Sequence, residues 1–202
     1  MRTIGALIFP GFELLDLFGP MEMFGFLGDD YELHLIAERE GAVESGHKLS
    51  AMASLSIHEH CAFDILFVPG GKGTRREVEN QALLDWLVAA SKNAEFVLSV
   101  CTGSALLARA GLLDGRHATT NKAAFSWVES QGPRVLWERQ ARWVEDEHFI
   151  TSSGVSAGMD MSLGAIARMH GMQRAKDVAK FCEYEWHQDP SWDPFAKIHG
   201  LV

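Results

Sequence analysis

The sequence predicts a doubly wound α/β layer fold, and three observations carry that expectation. Strand-like and helix-like segments alternate along the 202 residues, the order that builds a mostly parallel sheet with helices on both faces. Several strand candidates are near-continuous apolar runs, as in Ile65-Leu66-Phe67-Val68, which suits strands buried on both faces. Turn and cap signals fall between the segments: Pro10-Gly11, Pro69-Gly70-Gly71, Gly111 and Gly132-Pro133.

The elements follow in order. The first strand, Thr3–Phe9, is an apolar run stopped by Pro10-Gly11, and a helix follows over Glu13–Phe26. Tyr31–Ala37 and Asp64–Pro69 are the next strands, and Asn80 is placed to cap a helix over Gln81–Ser91. Glu95–Val100 is a strand running directly into a helix over Thr102–Ala110. His117–Thr119 is a short strand and Lys122–Ser130 a helix. Arg142–Ile150 alternates on either side of a charged turn, as a hairpin or sheet edge would, with a strand at Glu147–Thr151. Helices over Ser156–His170 and Gln173–Trp186 close the pattern, and the aromatic tail Gln188–Phe195 is expected to pack on the body or on a partner subunit. There is no internal repeat or linker, and residues 1–202 read as a single domain.

Composition narrows the function classes. A net charge of −9 argues against nucleic acid or an anionic membrane as the main partner. The N-terminal apolar run is too short for a signal peptide or a membrane span. Three cysteines in unlike contexts fit free thiols in a reducing cytoplasm. No basic helical pair follows the domain before Val202, so a one-chain transcription factor is not expected. His58-Glu59-His60-Cys61 holds metal-ligand types but has no second cluster at zinc-site spacing, and no metal or other cofactor is expected.

The stretch that carries chemistry is Ala94–Leu107, where a β-prone run ends at Cys101 and small residues open a helix. A nucleophile on such an elbow projects from the top of the sheet, and the N–H groups of the following helix favour a thiolate. The bland alternative is a small buried residue at a tight strand–helix junction. In open α/β sheets ligands bind beyond the carboxyl ends of the strands. The turns at Phe9-Pro10-Gly11, Pro69-Gly70-Gly71 and Val100-Cys101-Thr102 should therefore converge on one crevice, within reach of Asp16 early in the first helix. Gly70 and Gly71 allow close approach of backbone N–H groups to a ligand. Thr102 offers a hydroxyl to the sulfur, or alternatively caps its helix. Lys122 reads first as a surface or salt-bridged lysine, with a pocket-lining residue that binds an anionic group as the alternative.

An ordered set of motifs resembles the DJ-1/PfpI superfamily. The pieces are Leu14–Pro20, Val68-Pro69-Gly70-Gly71, Ser99–Ser104, Leu112–Thr120 and Gly154–Asp160. The resemblance implies a flavodoxin-like, class I glutamine amidotransferase-like fold. Within the superfamily the chain is most similar to the isonitrile (isocyanide) hydratase branch, which has an Asp on the first helix and a Cys-Thr-Gly-Ser elbow. Thr102 stands where the protease-like branch has His. The resemblance implies that Cys101 attacks the isonitrile carbon, that Asp16 is the acid, and that Thr102 assists. Gly70, Gly71, Asn121, Gly154 and Val155 are expected to contact a small-molecule substrate. Asn121-Lys122 stands where hydratases have His-Trp, and Thr151–Val155 replaces a glycine-rich run; both segments should border the crevice. Alternatives are a glyoxalase- or hydrolase-type cysteine enzyme on a small carbonyl compound, and a non-enzymatic redox-sensing or regulatory protein. A homodimer is expected, because relatives commonly pair beside the active site and Met21–Leu27, Trp186 and Trp192 are apolar and aromatic.

Overall fold

The computed structural model describes residues 1–60 and 62–202. The first half of the chain holds β1 (Arg2–Leu7), α1 (Leu14–Gly25), β2 (Tyr31–Ala37), β3 (Gly41–Glu44), β4 (Ser50–Ala53), β5 (Leu55–Ser56), β6 (Ile65–Val68), α2 (Thr74–Glu77), α3 (Gln81–Ser91) and β7 (Phe96–Val100). The second half holds α4 (Gly103–Arg109), β8 (His117–Ala118), α5 (Phe125–Gln131), β9 (Leu136–Trp137), β10 (Trp143–Asp146), β11 (Phe149–Ser152), α6 (Ala157–His170), α7 (Met172–Phe181) and α8 (Pro194–Ile198).

Seven strands form one sheet in the order β10-β11-β7-β6-β1-β2-β5. All neighbours are parallel except β10 and β11, the hairpin expected around the charged turn. The central strands are apolar because both faces are covered: every residue of β6 and β7 is buried. The helices pack in two groups, α1 with α6 and α7, and α4 with α2, α3 and α5. The fold is therefore the doubly wound, flavodoxin-like α/β arrangement. β1 lies between β2 and β6, so the chain winds outward from it in both directions, and crevices open at the carboxyl ends beside such a reversal.

Register then decides what meets at that end. Val68 of β6 pairs with Ser99 of β7, and Val100 with Ser152 of β11. The residues one or two steps beyond, Pro69-Gly70, Cys101 and Ser153-Gly154, come together at the sheet's rim. Helix α1 reaches the same rim because Gly158 of α6 admits close packing: a Cβ there would lie 2.7 Å from Val100 and 3.3 Å from Pro20 of α1.

Three departures from the sequence expectation have physical causes. The β3–β4 hairpin is built from small residues with weak strand preference, Gly41–Glu44 against Ser50–Ala53, and carries no apolar run. Helix α7 stops at Phe181, short of Trp186, and Glu183 turns into the left-handed region at φ 48°. Beyond it the chain is drawn onto a buried carboxylate. Tyr184 Oη and the His187 N–H donate to Asp160 Oδ1 at 3.0 and 2.9 Å, and Trp186 Nε1 donates to the Asp160 carbonyl at 3.1 Å. Arg142 completes that centre, its Nε 2.7 Å from Asp160 Oδ2 with both groups buried. The tail is thus held to the body of its own chain. Third, Lys122 is buried and belongs to no ion pair among the described residues, against the surface reading. Cys61, the last residue of the run with metal-ligand types, lies outside the described residues. Among them, no helix is long and apolar enough to cross a membrane.

Candidate active site

Cys101 sits on the elbow between β7 and α4 at φ 56°, a left-handed conformation that costs a non-glycine residue free energy and is retained mostly where function requires it. The surroundings hold it there. Its N–H donates to the carbonyls of Ser152 at 3.1 Å and Ser153 at 3.3 Å. Its own carbonyl accepts from Thr120 Oγ1 at 2.8 Å and Ser104 Oγ at 3.1 Å. Thr120, Ser104, Ser152 and Ser153 were not singled out from the sequence, although Thr120 and Ser104 lie inside motifs that carried the resemblance.

Asp16 reaches the elbow from the first turn of α1 and has no exposed surface. Its Oδ2 accepts from the Gly70 N–H at 3.1 Å. Its Oδ1 is buried without a conventional hydrogen-bond partner, and the Cys101 thiol is the side chain that acts on the carboxyl. Burial dominates the electrostatics. It drives the Asp16 carboxyl up from the ordinary 3.8 to about 8, against smaller lowering effects of Cys101 and the Gly70 N–H. Burial also pushes the Cys101 thiol well above its usual range, and the neighbouring Asp16 adds to the effect. The Thr102 N–H and hydroxyl pull the other way and lose. This corrects the expectation of a thiolate favoured by the helix N-terminus: α4 does present an N–H to the sulfur, but desolvation outweighs it. The pair is neutral at pH 7, a thiol beside a carboxylic acid, and titrates as a unit.

Gly70 and Gly154 are the close-approach positions. A Cβ on Gly70 would lie 2.6 Å from the Thr102 nitrogen and 2.8 Å from Asp16 Oδ2. On Gly154 it would lie 2.7 Å from both Cys101 Sγ and Asn121 Nδ2. Asn121 Oδ1 is taken by the Ala124 N–H at 2.9 Å, which fixes the amide so that its N–H donors face the sulfur side. Val155 follows at the rim and is 37% exposed. Gly71 behaves differently from expectation, and the Thr102 hydroxyl, besides acting on the Cys101 sulfur as expected, also serves its neighbours. The Thr102 hydroxyl accepts from the Gly71 N–H at 3.0 Å and from Thr74 Oγ1 at 3.1 Å, and caps no helix. The Gly71 N–H is therefore committed to Thr102 and is not a free donor for developing charge. Gly71 itself, at φ 128°, lets the Gly11–Glu13 turn pack against it. Cys101, Asp16, Thr102, Gly70, Asn121 and Gly154 thus form one tight cluster with Cys101 only 7% exposed. An open hollow of about 630 Å³ beside Phe9, Glu38 and Arg76 contains none of these residues. The cluster can add a sulfur nucleophile to a small electrophile and move a proton beside it in a water-poor setting.

A family profile described as the DJ-1/PfpI family matches residues 2–168. The chain belongs to the DJ-1/PfpI family. It is 33% identical to an isonitrile hydratase of Pseudomonas putida over 90% of this chain and 78% of that protein. It is 32% identical to the HTH-type transcriptional regulator CdhR of Pseudomonas aeruginosa over 86% of this chain, but spans only 52% of that regulator. Among solved structures, a ThiJ/PfpI family protein from Pseudomonas syringae superposes with a TM-score of 0.84 at 30% identity, covering 95% of this chain and 78% of that one. This DJ-1/PfpI chain therefore shares its family with both enzymes and regulators.

The raised Asp16 value has a stability consequence. A carboxyl whose folded affinity for its proton exceeds the unfolded one stabilises fully below about pH 4 and loses that contribution as pH rises toward 8. Asp16→Asn carries no such cost. Its stability relative to wild type should climb across that window by a few kcal/mol, at roughly 1.4 kcal/mol for each pH unit crossed. Denaturant melts at pH 4.5 and pH 8 check this; a pH-independent difference would contradict the burial argument.

Proposed function

We propose that the chain is a cysteine-dependent hydro-lyase that hydrates an isonitrile to an N-substituted formamide, without a cofactor. The observation that carries this reading is the buried Cys101–Asp16 pair, in which a thiol nucleophile and a carboxyl still protonated at neutral pH face one small space. The similarity to the Pseudomonas putida hydratase supports the same chemistry.

In this mechanism Cys101 Sγ bonds to the terminal carbon of the isonitrile. Asp16 delivers its proton to that carbon and takes the thiol proton in exchange, leaving a thioimidate on Cys101 and Asp16 protonated again. Water then adds to the thioimidate carbon. Asp16 protonates the nitrogen and accepts a proton from the added water, and collapse of the tetrahedral adduct returns the thiol and releases the formamide. The Thr102 N–H steadies negative charge as it builds on sulfur. Asn121 Nδ2, Gly70, Gly71, Gly154 and Val155 shape the substrate space. The close approach of Gly154 to Sγ leaves narrow access to the sulfur, which suits the linear carbon terminus of an isonitrile.

The same reading includes a homodimer, through a surface that overlaps the expected one only in part. Met21, Met23, Phe24 and Leu27 are buried in the chain's own core and are unavailable to a partner, whereas Phe26 and Trp192 are exposed. Leu15, Phe18 and Leu49 are 41–63% exposed and lie on or beside the outer side of α1, whose first turn carries Asp16. Light scattering at micromolar concentration should report twice the chain mass; a monomer would contradict the pairing.

Turnover of aliphatic and aromatic isonitriles, run beside 2-oxoaldehydes, tests the activity. Cys101→Ala and Cys101→Ser should remove it, and Asp16→Asn should lower kcat by about a thousandfold or more while the fold survives. Wild-type activity should hold below pH 8 and fall above it, because the acid form of the pair is the working form. Retained turnover in the Cys101 variants would end the covalent mechanism, and turnover of oxoaldehydes alone would move the chain to the glyoxalase-type reading.

A further inference from the structure

The most unusual side chain outside the cluster is Lys122. It follows Asn121 directly, is 3% exposed, and has no carboxylate within ion-pair distance among the described residues. Burying an ammonium without such a partner is costly, and an apolar side chain of similar length would avoid the penalty. Burial lowers its affinity for a proton, leaving it at about 8, with Asp193 raising it and Arg142 lowering it. The geometry shows what that cost secures. Nζ donates to Thr119 Oγ1 at 2.7 Å and to the Ala141 carbonyl at 2.5 Å, and so ties the loop after β8 to the segment before β10.

Both ends of that tie lead to Cys101. On one side, Thr119 is followed by Thr120, whose hydroxyl holds the Cys101 carbonyl, and by Asn121, whose amide faces Sγ beside Gly154. On the other side, Ala141 precedes Arg142. The Arg142 carbonyl accepts from the Ser153 N–H at 2.8 Å, one residue before Gly154. Arg142 is itself immobilised by its buried pairing with Asp160 of α6 and by the tail, since its N–H donates to the Pro190 carbonyl at 2.7 Å. The two loops that crowd the sulfur are therefore hung on one charged frame, and Lys122 joins the first loop to it beside the Thr119 hydroxyl, which lies 2.7 Å from the Glu138 carbonyl and 3.3 Å from that of Ala141.

We propose that Lys122 is a positioning residue of the Cys101 site: by bridging Thr119 and Ala141 it holds Thr120 and Asn121 against the cysteine and sets how closely the site is covered. It touches neither substrate nor sulfur and acts through Asn121 and Thr120. The proposal rests on Cys101 being the reactive centre, but not on isonitriles being its substrate.

Alkylation of Cys101 by iodoacetamide, read by peptide mass spectrometry, separates the two because it needs no substrate. Lys122→Met removes the bridge from the lysine end, and Thr119→Val removes it from the other end together with the Thr119 hydroxyl's own contacts to the Glu138 and Ala141 carbonyls. Each should speed Cys101 alkylation about tenfold or more, and the double variant should be no faster than the stronger single one. On an isonitrile, kcat should fall about tenfold while KM moves little, the mark of lost alignment rather than lost binding. Thr3→Val, which loses the hydroxyl's bonds to Asp64 at the opposite, amino end of the sheet, should lower Tm with Cys101 reactivity at the wild-type level. If Lys122→Met folds poorly, Thr119→Val keeps the lysine and loosens the same junction. Lys122→Met or Thr119→Val variants that melt earlier while alkylating at the wild-type rate would overturn the proposal and leave Lys122 a purely structural residue. Absence of isonitrile turnover in wild type, with accelerated alkylation in the variants, would sink the hydratase reading and leave this one standing.

Discussion

The site depends on the desolvation of two acids that share one space, the Cys101 thiol and the Asp16 carboxyl. In water the carboxyl would be ionised at neutral pH and useless as a proton donor. Enclosed by Gly70, Thr102 and the start of α1, it keeps its proton to about pH 8. The enclosure follows from the fold. Parallel strands end in register at one rim, glycines at 70 and 154 let backbone close over the sulfur, and Gly158 lets α6 approach β7 and α1. A Cβ at any of the three would meet atoms under 3.0 Å away, so the close packing that makes the carboxyl an acid also leaves little freedom in sequence there.

That enclosure opposes stability. A left-handed Cys101, a buried carboxyl whose Oδ1 faces only the thiol, and a buried lysine with no ion pair among the described residues each cost free energy in the folded state. The offset comes from the apolar strands beneath, where Ile65–Val68 and Val97, Leu98 and Val100 have no exposed surface. The buried Arg142–Asp160 pair adds a fixed frame, with Tyr184, Trp186 and His187 gathered on Asp160. Stable elements are regular and local in sequence, while the costly groups cluster at the rim, as expected where structure is arranged for reactivity.

Much of this was legible in the sequence, for identifiable reasons. The bounds of β2 and α3 follow directly from periodicity and the Asn80 cap, because local pattern and tertiary burial agree there. The elbow at Cys101 was legible because its strand, turn and helix are contiguous. That Asp16 faces it needed the resemblance, since nothing local brings residues 16 and 101 together. Three things were hidden because they are collective. The sign of the cysteine shift depends on how much protein surrounds it, which outweighs the nearby N–H groups. The stop of α7 depends on Asp160 drawing Tyr184 and His187 out of helical register. Lys122 reads as a surface residue in any local view, and only the approach of Ala141, far along the chain, turns it inward.

The central claim is that burial keeps Asp16 protonated beside a neutral Cys101 at the pH where the protein works. Infrared difference spectroscopy of wild type against Asp16→Asn, titrated from pH 5 to pH 10, measures this directly. The account predicts a protonated-carboxyl band at pH 7 that is absent from the variant and disappears with a midpoint near 8. A carboxylate already formed by pH 6 would contradict it, and with it the role of Asp16 as the acid.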